Sequence, residues 1–343
     1  MARLEPCDWS DLPGWTDDDH AAALDALRRS AAPWRDGRSL QPKGLTPPGL
    51  ERALCDVLDA ADRDPRETLQ RFLRPARVRG GPDRLTGYFE PVVAGSRMRS
   101  ARFHVPLHRR PPEVARATPA EERRFGLSYG VRLNDALAPF HDRGAVMDGA
   151  LDGHGLEIAY VESLADAFMI HVQGCARLET DRGTLRLTFD GKSGHAYRSL
   201  GKELAVRLGV SRETVTADRL FGWMRENPAD ADALLRTNPS YIYFREAEKG
   251  EGPIAAATVP LTAGRSVAVD RAFHAFGTPI WLAPAGLRPR LVIAQDTGSA
   301  IVGAGRGDLF VGSGPEAGLE AGRINHACAF FVLVPRDRET QGW

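Results

Sequence analysis

Apolar positions recur at helical spacing in four stretches. The first opens with Asp17, Asp18 and Asp19 and runs through Leu24, Leu27 and Ala31, which predicts a helix over 17–31 with acidic residues at its positive end. A second runs from Leu50 through Leu54, Leu58, Leu69 and Phe72 to Leu73, with a break expected at Asp64-Pro65. A third starts near Ser199, which reads as an N-cap, and passes Leu204 and Val206. A fourth spans residues 217–235, broken near Asn227-Pro228. Residues 37–49 read as a Gly/Pro loop. Elsewhere the apolar runs are short and strand-like: 85–93, 159–161, 168–172, 184–189, 241–244, 266–269, 279–282, 291–295, 308–311 and 327–334. With 35 Gly and 24 Pro between them, they predict a mainly β fold with some α, built as one or two barrels.

Composition narrows the class. A 343-residue chain that is 43% hydrophobic and 26% charged is globular, and its length suggests two domains or one large one. No apolar run reaches the roughly 18 residues a membrane span needs. The 45 basic and 45 acidic residues cancel, so no nucleic-acid partner is expected. Cys7, Cys55, Cys175 and Cys328 form no C-x-x-C pair, which predicts buried thiols and leaves disulfide pairing open. The first nine residues show no apolar export segment, so either a cytoplasmic protein or a mature form is expected.

No metalloprotease, P-loop, dinucleotide-binding or serine-hydrolase motif is present. The most pointed local feature is an apolar run that delivers Asp296 into Thr297-Gly298-Ser299. Alone, this is the Asp-Thr-Gly pattern of an aspartic protease. That chemistry needs two aspartates about 3 Å apart, and a chain this long should carry a second copy. It has none. Two further aspartates end apolar or Gly-flanked runs: Asp270 after Val267-Ala268-Val269, and Asp308 in Gly305-Arg306-Gly307-Asp308-Leu309-Phe310. A barrel can bring strand ends together on one rim. Carboxylates desolvated there repel, which raises one pKa into the range of a general acid. The same three residues could instead cap turns, since Asp beside Gly is common there.

The three aspartate segments together resemble the three-aspartate 3D domain. Flanking segments resemble the membrane-bound lytic murein transglycosylase A family: Leu85-Thr86-Gly87-Tyr88-Phe89-Glu90-Pro91-Val92, Val172-Gln173-Gly174-Cys175, Ala196-Tyr197-Arg198-Ser199-Leu200-Gly201, Asn238-Pro239-Ser240-Tyr241, Val259-Pro260-Leu261-Thr262 and Gly314-Pro315-Glu316-Ala317-Gly318. They follow one another in family order from about residue 85 to 334. Gly298-Ser299 departs from the Gly-Gly frequent in the family, and Cys175 stands where a Ser is frequent; neither removes a carboxylate.

The resemblance implies a double-psi β-barrel domain, residues 1–95 with 242–343, that includes a 3D segment at about 255–335. It implies a smaller β-rich domain inserted over 96–241 and a groove between the two. It implies cleavage of the bond between N-acetylmuramic acid and N-acetylglucosamine in peptidoglycan without water, leaving a 1,6-anhydro sugar. Such a reaction needs one carboxyl that protonates the leaving oxygen and then takes the C6 hydroxyl proton. The motif match gives that role to Asp308, with Asp296 tuning it or stabilising the oxocarbenium-like state. Thr86, Tyr88, Gln173, Asp270, Gly298 and Gly307 are the expected substrate-binding positions: Tyr88 through sugar stacking or core packing, Gln173 through an acetamido group or a turn. Asp270 is expected to be structural or supporting, offset by Arg271. No cofactor and no catalytic metal are expected. Peptidoglycan glycan strands are the expected partner, with other cell-wall enzymes as companions of a monomer, at the periplasm or outer membrane. An aspartic-protease-like peptidase and a non-catalytic peptidoglycan-binding protein remain the alternatives.

Overall fold

The computed structural model describes residues 2–35, 40, 44–60, 64–247 and 252–336. Its helices begin where the capping chemistry places them. The first α-helix, His20–Arg35, starts with the Asp19 carboxylate accepting from the Ala22 N–H at 3.0 Å. Asp64 caps Pro65–Phe72 by accepting from the Arg66 and Glu67 N–H groups at 2.8 and 3.0 Å, with Pro65 in the first turn. The expected break at Asp64-Pro65 is therefore a helix start. Ser199 caps Leu200–Leu208, and Pro228 opens Pro228–Leu235 after Asn227. Residues 37–39 and 41–43 of the expected Gly/Pro loop lie outside the described residues.

The chain divides into two compact units, Met1–Phe89 with Ile254–Gly312 and Ala317–Trp343, and Glu90–Pro253 with Ser313–Glu316. The first unit holds an eight-stranded sheet in the order Arg3–Pro6, Leu73–Arg79, Asn325–Pro335, Pro279–Pro284, Arg290–Asp296, Ser266–Val269, Arg306–Ser313, Arg84–Glu90. Asn325–Ala327 also pairs with Arg84–Thr86, so six of these strands close on themselves as a barrel.

The strand alternation explains why these segments read as unbroken apolar runs. Ile280, Leu282, Val292, Ala294, Phe330 and Val332 fill the interior with Val267, Val269 and Leu309. Their neighbours Trp281, Leu291, Ile293, Phe331 and Leu333 face the other way, onto Leu24, Leu27, Leu54 and Leu69 of the helices. Both faces of these strands are buried, so an alternating polar pattern is absent. Gln295 is the polar exception. Fully buried, it accepts from the Ser266 hydroxyl and donates to Ala26 O and Ser30 Oγ, both at 2.8 Å, tying the strand that carries Asp296 to the first helix.

The second unit has a six-stranded sheet in the order Ile242–Glu246, Gly183–Lys192, Cys175–Thr180, Val92–Ser96, Glu157–Val161, Val105–His108. A three-stranded sheet adds Val114–Arg116, Tyr129–Leu133 and Ala136–Ala138. Helices Leu200–Leu208, Ala217–Glu226 and Pro228–Leu235 pack around Phe168.

Residues 168–172, expected as a strand, lie instead in the helix Leu164–Gln173. Ser163 caps its start and Gly174, at φ 74°, ends it. Ala167 and Ile170 enter one apolar cluster while Ala165 and Phe168 enter another, so the helix is apolar nearly all round. A short run buried on both sides has no periodicity that separates helix from strand. Leu73, expected to end the second helical stretch, instead opens the strand Leu73–Arg79, which has partners on both sides. All four cysteines are free thiols, Cys175 and Cys328 buried. Among the described residues no helix is long and apolar enough to cross a membrane.

Candidate active site

Strand register brings two of the three aspartates together. Ala268 is the cross-strand partner of Asp308 on one side and of Asp296 on the other. Register partners share a sheet face. Both carboxylates therefore project from the same face, two strand spacings apart, about 10 Å between Cα atoms. Tyr88, Ala268, Ile301 and Phe310 form the apolar bed of that face, with the Tyr88 and Phe310 rings 5.4 Å apart.

Asp308 is half-buried, and its two oxygens differ. Oδ1 accepts the Thr86 hydroxyl at 2.5 Å. Oδ2 accepts no hydrogen bond among the described residues. Burial pushes the Asp308 carboxyl up to about 6; the Thr86 hydrogen bond and the Arg306 charge pull the other way, and the negative charge of Asp296 adds the smallest upward push. Burial rather than like-charge repulsion is thus the main cause. At neutral pH a carboxyl of this kind is within reach of both protonation states, as a group serving as acid and then base requires.

Asp296 is held differently. The Tyr88 hydroxyl donates to Oδ2 at 2.7 Å, and the Ala256 and Thr297 N–H groups donate to Oδ1 at 3.0 and 2.9 Å. Burial raises its pKa, and all three donors oppose the rise. Its lone pairs are directed at the protein, whereas Asp308 keeps one oxygen open. No hydrogen bond joins the two carboxyls, as the shared proton of an aspartic-protease dyad would require.

The other expected site residues fall in separate places. Thr86 touches Asp308 directly. The Tyr88 ring is only 8% exposed, so core packing holds it and its hydroxyl is the working end, with no sugar-stacking platform. Asp270 clamps a loop: it accepts from Ala272 N at 2.9 Å and Gly303 N at 2.8 Å, while the Arg271 guanidinium lies over the Phe276 ring, 4.4 Å from its centroid. Gly307 faces the barrel interior, where a Cβ would stand 3.0 Å from Phe330 and 3.1 Å from Val267. Gly298 is exposed and starts a turn in which Ile301 N donates to its carbonyl at 2.9 Å. Gln173, half-buried, ends the helix Leu164–Gln173 of the Glu90–Pro253 unit.

One residue at the centre was not anticipated. Arg306 Nη2 donates to Thr86 Oγ1 at 2.8 Å, and Nη1 donates to the Gly307 carbonyl. The signal was available: Arg306 stands two residues before Asp308 in one strand, and positions i and i+2 share a face. Among the described residues no group of His, Cys, Asp and Glu is arranged to hold a metal ion.

Known proteins share this arrangement of segments. The family profile described as the MltA specific insert domain matches residues 84–245, and the 3D domain profile matches residues 265–334. The membrane-bound lytic murein transglycosylase A of Vibrio cholerae is 33% identical over 297 residues, covering 81% of this chain and 73% of that protein. The crystal structure of a membrane-bound lytic murein transglycosylase from Agrobacterium tumefaciens superposes with a TM-score of 0.87 at 34% identity, covering 97% of this chain and 98% of that one. The Escherichia coli MltA structure with bound chitohexaose gives a TM-score of 0.71 at 27% identity, covering 97% and 92%. With both profiles in order along the chain and a relative of this identity over four-fifths of it, the protein belongs to the membrane-bound lytic murein transglycosylase A family.

Proposed function

We propose that this protein is a peptidoglycan lytic transglycosylase that cleaves the MurNAc–GlcNAc β-1,4 bond and leaves a 1,6-anhydro-MurNAc end, with Asp308 as its acid and then its base. The observation that carries the reading is the asymmetry of Asp308: one oxygen tied to Thr86, the other open, on a carboxyl pushed up to about 6. In the first half-reaction the proton on Oδ2 passes to the glycosidic oxygen as the C1–O bond breaks. In the second, the C6 hydroxyl of the muramic acid attacks C1 and its proton passes to Oδ2, so the enzyme ends as it began and no water is consumed. Asp296, whose ionised form the Tyr88 hydroxyl and two backbone N–H groups favour against the upward push of burial, stabilises the oxocarbenium-like charge from across the sheet face.

Thr86 positions the acid, and Asp270 holds the loop that runs through Gly303. Gly298 leaves room for close glycan approach, and Gln173 offers an amide to an acetamido group. Gly307 serves indirectly, by letting its strand lie against the barrel core. The catalytic domain is the barrel unit, a double-psi barrel, and the Glu90–Pro253 unit is the insert; of the segments expected mainly in the barrel domain, Val92–Ser96 and Ile242–Glu246 pair within the insert's six-stranded sheet. The substrate lies outside the cytoplasm, so the protein works at the periplasmic face of the wall, as a monomer that can join other cell-wall enzymes. The relatives' names and a relative with bound chitohexaose, a chain of N-acetylglucosamine, support the substrate class.

The test is digestion of purified sacculi followed by mass spectrometry of the soluble products. Muropeptides ending in anhydro-muramic acid are expected. Reducing-end muramic acid would make the protein a muramidase, and binding to sacculi with nothing released would make it a non-catalytic binder.

A further inference from the structure

The geometry points to Arg306 as a positioning residue that decides which oxygen of Asp308 carries the catalytic proton, by fixing the direction of the Thr86 hydroxyl. The inference rests on the transglycosylase reading above for its consequence, but not for its chemistry.

A guanidinium can only donate hydrogen bonds, and a threonine hydroxyl has a single proton. The 2.8 Å contact between Arg306 Nη2 and Thr86 Oγ1 therefore uses a proton of the arginine. The lone hydroxyl proton of Thr86 is left for its other neighbour, Asp308 Oδ1, at 2.5 Å. Oδ1 is thus an acceptor, and the acid proton of Asp308 resides on Oδ2, the oxygen without a hydrogen bond among the described residues. Without Arg306 the hydroxyl can turn. It can then accept from a protonated Oδ1, and the proton needed by the leaving group is held in an internal hydrogen bond. The second donation, from Arg306 Nη1 to the Gly307 carbonyl, anchors the fork to the strand that carries Asp308.

Charge acts in the same place. The Arg306 guanidinium favours the ionised form of Asp308, which is the form that must take the C6 hydroxyl proton. Three other groups act on this pair from other strands of the sheet. Asp296 disfavours ionisation of Asp308. The Arg84 guanidinium, bound to Asn325 Oδ1 at 2.8 Å, repels that of Arg306. The Tyr88 hydroxyl is engaged by Asp296. Arg306 is the cation whose removal changes both the charge at Asp308 and the direction of Thr86.

The experiment is a carboxyl-carbon NMR titration of Asp308 in the full chain, assigned with Asp308→Asn, alongside initial rates on solubilised glycan strands. Arg306→Gln is expected to move the Asp308 midpoint up by about one pH unit or more. Arg306→Lys keeps the charge but cannot reach both Gly307 O and Thr86 as a planar fork. It is expected to leave the midpoint near that of wild type while the rate falls about tenfold or more. If Arg306→Gln does not fold, Thr86→Val is expected to move the midpoint in the same direction, and Thr86→Ser to restore it. An unchanged midpoint in both Arg306→Gln and Thr86→Val, or full activity in Arg306→Lys, overturns the assignment. The titration does not depend on turnover. A wild-type protein that releases no anhydro product while its Asp308 still responds to Arg306→Gln would therefore sink the functional reading and leave the Arg306–Thr86–Asp308 linkage in place.

Discussion

Each unit of this protein buries a polar cluster, and the two are built on opposite rules. In the Glu90–Pro253 unit, Arg143 is 4% exposed and lies between the Phe168 and Tyr241 rings, its guanidinium carbon 5.2 and 5.3 Å from their centroids. Nε donates to Asn238 O at 3.2 Å, Nη2 to Ser240 O at 2.6 Å, and Nη1 to His171 Nδ1 at 3.0 Å. Because the arginine can only donate, His171 must accept at Nδ1 and is neutral there. Burial and the Arg143 charge push the His171 pKa well down, and burial takes His108 down to about 4. Each nitrogen of the cation donates a hydrogen bond, no carboxylate among the described residues is paired with it, and its neighbours are backbone carbonyls and rings. In the barrel unit, Asp308 has one oxygen engaged and one open. A cation held at each of its nitrogens fixes a fold; a half-buried acid with an open oxygen stores reactivity. Burial alone does not separate the two, since both are strongly desolvated. What separates them is where the unfilled position lies: around Arg143 it falls on neutral atoms, His171 Nε2, His108 Nε2 and Asn238 Nδ2, whereas in the barrel unit it is an oxygen of the acid itself.

The largest effect expected of this contrast is on turnover. Asp308→Asn keeps volume and a donor but carries no transferable proton, and should lower the rate of anhydro-muropeptide release by about three orders of magnitude or more, with binding of solubilised glycan strands retained. Titration calorimetry on the variant separates binding from turnover. Next is Arg143→Met, which strips donors from Asn238 O and Ser240 O and should cost about 2–6 kcal/mol in urea unfolding of the full chain. If Arg143→Met instead stabilises the protein, as replacement of buried charges by apolar groups can, the cluster is not the fold-fixing element described.

A third consequence joins the two properties at Asp308. Its folded pKa of about 6 lies above the ordinary carboxyl value, so its contribution to stability is full below about pH 4 and is lost as pH rises through 6. At pH 7, after allowance for its partial exposure, Asp308→Asn should be more stable than wild type by about 1–2 kcal/mol, and at pH 3.5 the difference should vanish. Melting temperatures at the two pH values check this. The smallest effect is that of Asp296→Asn, about tenfold in rate. It should also move the alkaline fall of activity to lower pH, because a like charge near Asp308 is gone, and by less than the opposite move expected for Arg306→Gln, since Asp296 is the weakest influence on Asp308.

Much of this was readable before any coordinates. The barrel strands announced themselves because both their faces are buried, and the Thr86, Tyr88, Asp296 and Asp308 segments stood out through their resemblance to the family. The helix Leu164–Gln173 did not, because its apolar residues serve two clusters and erase the helical period. The strand Leu73–Arg79 shows no apolar run, because Pro75 and three arginines interrupt it, yet backbone pairing with Asn325–Pro335 holds it. Asp270, expected to be structural or supporting, has its carboxylate engaged by the Ala272 and Gly303 N–H groups, a loop closure whose partners spacing does not encode. Gly307 looked like a ligand-side glycine and is a core contact, because the strand period puts its face opposite to that of Asp308. Arg306 could have been chosen by that same period.

The most direct test of the central claim is the pH dependence of kcat/KM on solubilised glycan strands, which reports the ionisation of the free enzyme's essential acid. Asp308 as the open, protonated acid predicts a plateau at low pH and a fall governed by one ionisation near pH 6. A rate that stays level or rises from pH 6 to 8 would contradict it.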